Sequence, residues 1–124
     1  MNRFWKHFVT RLAQGRPMGI GATMFVLHRL TGVALTVYLY AHLITLGSIL
    51  QGPDRFDQAM ALMSRPGVRL MELVLIWVVL FHILNGVRLL VLAIAPKVNQ
   101  KWLAAAVVAV SVLIALASLP FFLS

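Results

Sequence analysis

The sequence contains no cysteine, and only three of its 124 residues are acidic. Without a thiolate the chain forms no disulfide, offers no cysteine nucleophile and ligates no iron–sulfur cluster. Any such cluster that works with this chain must lie on a partner. Charged residues of both signs make up only 11% of the sequence, whereas 61% is hydrophobic and the mean hydropathy is +0.93. This composition is typical of a membrane protein and argues against a water-soluble domain.

Eleven basic residues outnumber the acidic ones and give a formal net charge of +8. They cluster at the ends of apolar runs and form no patch interleaved with aromatic side chains, so the charge does not indicate nucleic-acid binding. The first residues also lack the apolar core of a secretory signal. Phe4, Phe8 and Leu12 instead recur at helical spacing, which predicts a cytoplasmic or interfacial segment over 1–21 with a short surface helix.

Three apolar runs, at about residues 22–50, 70–95 and 102–123, each exceed the roughly 20 residues that cross a bilayer. They predict an all-α membrane protein with a single three-helix transmembrane domain over 22–123. Between the first two runs, apolar residues share one face of 54–64. This pattern predicts an amphipathic surface helix that begins after a Gly-Pro-Asp break.

The basic residues near the ends of the spans predict how the chain sits in the membrane. Six of them flank one side, namely Arg3, Lys6, Arg11, Arg16, Lys97 and Lys101. The opposite side has Arg55, Arg65 and Arg69, partly offset by Asp54 and Asp57. Because basic residues accumulate on the cytoplasmic side, we expect the N-terminus in the cytoplasm and the C-terminus outside.

Five ionisable residues fall inside the apolar runs: His28, Arg29, His42, His82 and Arg88. An ionised side chain at the centre of a bilayer costs about 2.5–3.5 kcal/mol even on the mildest scale. The chain offers few polar partners of its own. A bound cofactor, a second membrane subunit, or both would explain these residues.

His82 is the leading candidate for a cofactor ligand. Asn85 follows at i+3 and Gly86 at i+4, so the imidazole projects over a notch without side-chain bulk, where a flat macrocycle can approach. A neutral imidazole is a standard axial ligand of haem iron. The alternative is a histidine that hydrogen-bonds to a neighbouring helix.

His42 lies fourteen residues beyond His28, on nearly the same side of the first span and about 21 Å along its axis. This spacing allows two stacked metal sites, with His42 as a second haem ligand. It equally allows His28 to be partly solvated near the cytoplasmic boundary while His42 bonds to a threonine or a carbonyl group.

Arg29 and Arg88 indicate an anionic ligand, since planar guanidinium groups match carboxylates such as the two propionates of haem. Both residues lie nearer the cytoplasmic ends of their helices. For Arg88 the alternative is a side chain that extends to the membrane interface, about seven residues away.

Two segments resemble the signatures of a known family. The segment 28–32, His-Arg-Leu-Thr-Gly, resembles the His-Arg-x-Ser/Thr-Gly motif of the cytochrome b556 membrane subunits of succinate dehydrogenase. The segment 82–88, His-Ile-Leu-Asn-Gly-Val-Arg, is similar to the family's His-x-x-x-Gly-Ile-Arg motif. The loop 52–59 and the Arg-Pro pair at 16–17 also resemble the family, so the likeness covers about residues 16–94.

By this resemblance His82 would ligate haem b, and a second small membrane anchor subunit, packed against the three helices, would supply the opposite axial ligand. His28, Arg29 and Arg88 would lie near the haem propionates and the quinone site, and Gly86 would let the haem approach. A flavoprotein subunit that oxidises succinate and an iron–sulfur subunit are the other implied partners.

The resemblance is incomplete at the quinone site. Phe25 stands where many relatives have a serine, so that hydroxyl contact to quinone is either missing or replaced by another residue such as Thr23 or Thr31. His42 is additional to the one-haem members of the family. Some relatives with histidine at this place carry two haems.

The resemblance makes the chain an electron-transfer anchor that does not itself oxidise succinate. The same anchor fits a fumarate reductase, because the direction of the reaction depends on the quinone and on the catalytic subunits. A haem-free membrane scaffold or small transport subunit is the rival interpretation. The second and third spans, however, lack the broken helices that are typical of a transporter.

Overall fold

The computed structural model describes residues 2–124, which form five α-helices. These are α1 (Arg3–Ala13), α2 (Ile20–Gly47), α3 (Pro53–Met63), α4 (Pro66–Ile94) and α5 (Gln100–Leu123), with a 3-10 turn at Ser48–Gln51 that prolongs α2. No strand occurs within residues 2–124. The all-α prediction is confirmed, and helices are present at both places where a short one was predicted.

Three helices are long and apolar enough to cross a membrane: α2 with its extension, α4 and α5. The prediction of three spans is therefore confirmed. The helices begin two to four residues before the apolar runs do, at Ile20, Pro66 and Gln100. The reason is that backbone hydrogen bonding carries each helix into the polar interface, where hydropathy no longer marks it.

A few residues that constrain the backbone separate the helices. Gly52 has φ +103°, a conformation that residues with a side chain rarely adopt, and Pro53 then fits the first turn of α3. Pro66 opens α4 in the same way. The Asn99 side chain accepts a hydrogen bond of 3.0 Å from the backbone N–H of Lys101, which caps α5.

The long helices form an up-down-up bundle. α2 and α4 are antiparallel, because Met24 pairs with Asn85 while Gly32, further along α2, meets His82. α5 packs against α4, and its first residue lies next to the start of α2. The small buried apolar core lies between these helices and consists of Met24, Phe81, Ala104 and Val107.

The outward face of α2 is apolar and uncovered. The exposed fractions of Val33, Val37 and Ile44 are 64%, 65% and 75%. In a membrane-spanning helix such a face contacts lipid or another membrane subunit.

Helix α1 packs on the start of α2 through aromatic rings. Phe4 meets Phe25 edge-on, with ring centroids 4.8 Å apart. The guanidinium carbon of Arg29 lies 6.0 Å from the ring centre of Trp5 and 5.8 Å from that of Phe25. Phe25 therefore both holds α1 and supports the exposed Arg29 side chain.

Charge is divided unequally between the two ends of the bundle. The end where α2 starts carries eight basic residues and no acidic one: Arg3, Lys6, Arg11, Arg16, Arg29, Arg88, Lys97 and Lys101. The opposite end carries Arg55, Arg65 and Arg69 together with Asp54, Asp57 and Glu72. The whole net charge of +8 thus lies at one end.

Candidate functional site

A His-x-x-x-Gly segment on α2, from His28 to Gly32, crosses a second one on α4, from His82 to Gly86. The His28 and His82 rings are stacked, with centroids 4.1 Å apart and planes inclined by 4°. A Cβ atom at Gly32 would lie 3.2 Å from Cε1 of His82. One at Gly86 would lie 3.7 Å from Cε1 of His28. Each histidine of the antiparallel pair therefore lies over the glycine of the other helix, and at Gly32 the missing side chain is what lets the His82 ring approach so closely.

Gly32, the glycine that lies against the His82 ring, was not predicted from the sequence. Gly86 was predicted to form the notch beside this histidine, but the structure places Gly86 against His28. A pattern within one helix shows which residues share a face, and it does not show which faces of two helices meet. The signal that identifies Gly32 is the repeated His-x-x-x-Gly spacing, which occurs once on each helix.

Thr31 joins the two histidines and is only 7% exposed. Its Oγ1 atom lies 2.8 Å from the carbonyl oxygen of His28 and 2.9 Å from Nδ1 of His82. The other ring nitrogen of His82, Nε2, makes no hydrogen bond within residues 2–124 and is not among their fully buried polar atoms. Nε2 is therefore available to a ligand at the surface of the helix pair.

A second polar cluster lies further along α4. Asn85 is fully buried, and its Nδ2 donates a hydrogen bond of 3.2 Å to the carbonyl oxygen of Met24 on α2. Nη1 of Arg88 donates to Oδ1 of Asn85, also at 3.2 Å. Arg88 is only 3% exposed, so its side chain turns into the bundle and does not extend to the interface.

Arg88 lies on a different face of α4 from His82. Six residues of helix separate them by about 120° around the axis and about 9 Å along it. Arg88 instead lines a groove together with Val107 and Val110 of α5. Its Nε has no hydrogen-bond partner within residues 2–124. The nearest acidic residue along the same helix, Glu72, is about 24 Å away, so the buried guanidinium has no counter-ion on α4.

The structure thus brings some of the predicted site residues together and leaves others apart. His28, Thr31 and His82 form one contiguous cluster, in which Nδ1 of His28 is buried without a hydrogen-bond partner among the described residues. Arg29 lies outside this cluster, exposed on α2, and Arg88 lies on the side of α4 that faces α5.

His42 is separate from the other histidines. It is exposed on α2, where its ring stacks on Tyr38 and its Nδ1 lies 3.4 Å from the Tyr38 hydroxyl. Across residues 2–124 there is no group of three or more His, Cys, Asp or Glu side chains that could hold a metal ion. A haem needs only one protein nitrogen on each side of its iron, so this finding leaves the haem prediction untested.

The two glycines of the crossing are expected to differ in their tolerance of alanine. In Gly32→Ala the new methyl group would press on the His82 ring, and overpacking of this kind typically costs about 1–3 kcal/mol. In Gly86→Ala the contact is of ordinary van der Waals length, so this variant serves as the matched control and should melt at the wild-type temperature. Thermal unfolding of the purified complex measures both. Equal melting temperatures would show that the close approach at Gly32 imposes no constraint.

Comparison with known proteins agrees with this architecture. The profile of the succinate dehydrogenase/fumarate reductase transmembrane subunit family matches residues 5–117. The chain is similar to the succinate dehydrogenase hydrophobic membrane anchor subunit of Halobacterium salinarum, with 37% identity over 107 residues, or 84% of this chain and 82% of that protein. It is also similar to the succinate dehydrogenase 2 membrane subunit SdhC of Mycobacterium tuberculosis, with 32% identity over 72 residues, or 58% of this chain and 53% of that one. This multi-pass membrane protein therefore belongs to the family of succinate dehydrogenase/fumarate reductase transmembrane subunits.

Proposed function

We propose that this chain is the cytochrome b anchor of a succinate dehydrogenase, in which His82 ligates haem b and the neighbouring residues contribute to the quinone site. The observation that carries the proposal is the unbonded Nε2 of His82 at the crossing of α2 and α4. A haem bound there supplies a one-electron carrier within the membrane.

The residues around His82 fit a flat ligand. Gly32 leaves no side chain against the His82 ring, and Nε2 is not among the fully buried polar atoms of residues 2–124, so a ligand can reach it. In this proposal His28 excludes water from one face of the ligand imidazole. His28 in turn packs against Gly86, where a Cβ atom would lie 3.7 Å from its Cε1.

The two arginines differ in what they offer to the haem propionates. Arg29 is exposed, and its guanidinium group is free of hydrogen bonds to other described side chains, so it is the better candidate for a direct contact with a carboxylate. Arg88 is engaged with Asn85 and lies on another face of α4. Because the Arg88 guanidinium has no counter-ion on α4, its positive charge would attract an anionic group nearby.

We assign the quinone contact to Arg29 and His28 in preference to Thr31. Thr31 was a candidate because its hydroxyl could replace the serine of the family pattern at Phe25. The Thr31 hydroxyl is, however, buried and already bonded to the His28 carbonyl and the His82 ring.

The partners follow from what the chain lacks and exposes. By its family, the chain would receive electrons from an iron–sulfur subunit, which would be supplied by a flavoprotein that oxidises succinate. The chain has no cysteine with which to hold such a cluster itself. We place the basic end of the bundle, and hence the N-terminus, on the cytoplasmic side of a bacterial inner membrane, where these subunits dock. The uncovered face of α2 fits a second small membrane anchor, which would supply the opposite haem ligand.

The haem count of the purified complex tests this proposal. We expect pyridine haemochrome analysis to give at least one haem b per copy of this chain. A second haem per copy would make His42 its ligand, and His42→Ala should then lower the count by one. A complex that is fully assembled but contains no haem b would overturn the proposal and favour a haem-free scaffold.

A further inference from the structure

We infer that Thr31 is a positioning residue that fixes the tautomer of His82 and thereby presents Nε2 as the electron-pair donor to a metal. The inference rests on the proposed haem ligation and adds a residue that acts through the ligand without touching the iron. It depends on how the single hydroxyl proton of Thr31 is used.

The two contacts of Thr31 Oγ1 leave one arrangement of protons. A carbonyl oxygen only accepts, so the 2.8 Å contact with the His28 carbonyl is a hydrogen bond only if Thr31 donates. The hydroxyl has no second proton. At the 2.9 Å contact with His82, Thr31 must therefore accept, which means that Nδ1 of His82 carries its proton.

The opposite arrangement is unfavourable in this setting. If Thr31 donated to His82, its oxygen and the His28 carbonyl oxygen would face each other at 2.8 Å without a proton between them. Thr31 is 7% exposed, so no bulk water would relieve that repulsion. The bond to the His28 carbonyl is also local, three residues back on the same helix, and it holds the hydroxyl in place.

A proton on Nδ1 leaves the lone pair on Nε2, the nitrogen that has no partner within residues 2–124. Metal-ligating histidines commonly donate their other N–H to an acceptor, which fixes the ring and raises its basicity. In this chain a hydroxyl takes the place of the more usual carboxylate or backbone carbonyl. Without that acceptor, the tautomer protonated on Nε2, which has no lone pair on this nitrogen to offer a metal, would compete.

The test compares Thr31→Val, which keeps the shape but removes the hydroxyl, with Thr31→Ser, which keeps the hydroxyl and removes the methyl group. In the purified complex, transfer of haem to excess apomyoglobin should be about 10- to 100-fold faster for Thr31→Val than for wild type. The midpoint potential of the haem should rise, because a less basic ligand stabilises ferric iron less. Thr31→Ser should restore both the slow transfer and the wild-type potential.

The outcomes separate this inference from the proposed function. If Thr31→Val retains haem with unchanged transfer rate and potential, Thr31 does not position the ligand, although the proposed function stands. If Thr31→Ser is as impaired as Thr31→Val, the methyl group matters through packing and the inference fails. If the wild-type complex contains no haem, or haem survives unchanged in His82→Ala, the proposed function itself is wrong.

Discussion

Replacing His82 by alanine is expected to remove the b-type haem absorbance from the complex. Nε2 of His82 has no hydrogen-bond partner within residues 2–124 and is not fully buried, while the ring is held through Nδ1 by Thr31. If His82 holds haem as proposed, its loss would leave only the partner subunit and the charges near the propionates to retain the group. Dithionite-reduced minus oxidised spectra of the purified complex measure the effect. Oxidation of succinate with a soluble electron acceptor should continue, because in the proposed complex that chemistry would belong to the flavoprotein subunit.

His28→Ala is the matched control for this experiment. The His28 ring stacks on His82 with centroids 4.1 Å apart, and its Nδ1 makes no hydrogen bond within the described chain. Its removal should therefore reduce the haem absorbance without abolishing the band. A smaller variant, His82→Gly, should regain absorbance when free imidazole is added, which separates loss of a ligand from loss of folding. If the band is unchanged in His82→Ala but lost in His28→Ala, the ligand lies on α2 and not on α4, and the proposal is wrong.

The sequence was sufficient for the helices because each signal is local. Apolar length gave the three spans, and Gly52 with Pro53 gave the start of α3. His82 stood out for the same reason, since an imidazole inside an apolar run needs an explanation that no neighbour in the sequence provides.

Contacts between helices were the part that could not be predicted. The role of Thr31 depends on an imidazole 51 residues away, and that of Gly32 depends on the antiparallel crossing. Arg88 illustrates the difficulty best. Its sequence position predicts contact with an anion or extension to the membrane interface, yet its side chain turns toward Asn85, three residues earlier on its own helix. The i+3 spacing was visible, but the burial that makes this bond decisive arises only when α2 and α5 pack around it.

Loss of Asn85 is expected to destabilise the chain more than loss of Arg88, although arginine carries the charge. Asn85 is the only hydrogen-bond acceptor of the buried guanidinium group among the described residues, and it also ties α4 to the Met24 carbonyl of α2. Asn85→Leu would leave a charged donor unpaired inside the bundle. Hydrogen bonds to charged groups contribute about 1.5–3 kcal/mol, so thermal unfolding of the complex should begin at a clearly lower temperature.

Arg88→Met, by contrast, removes the buried charge and leaves Asn85 bonded to α2. Replacing a buried charge by an apolar side chain of similar length is often neutral or stabilising, so this variant should melt near the wild-type temperature. The double variant Asn85→Leu/Arg88→Met should recover part of the stability that Asn85→Leu loses, because no unpaired guanidinium remains. Additive effects in this double-mutant cycle would mean that the two side chains are not coupled. An Arg88→Met variant that is the less stable of the two single variants would contradict the prediction.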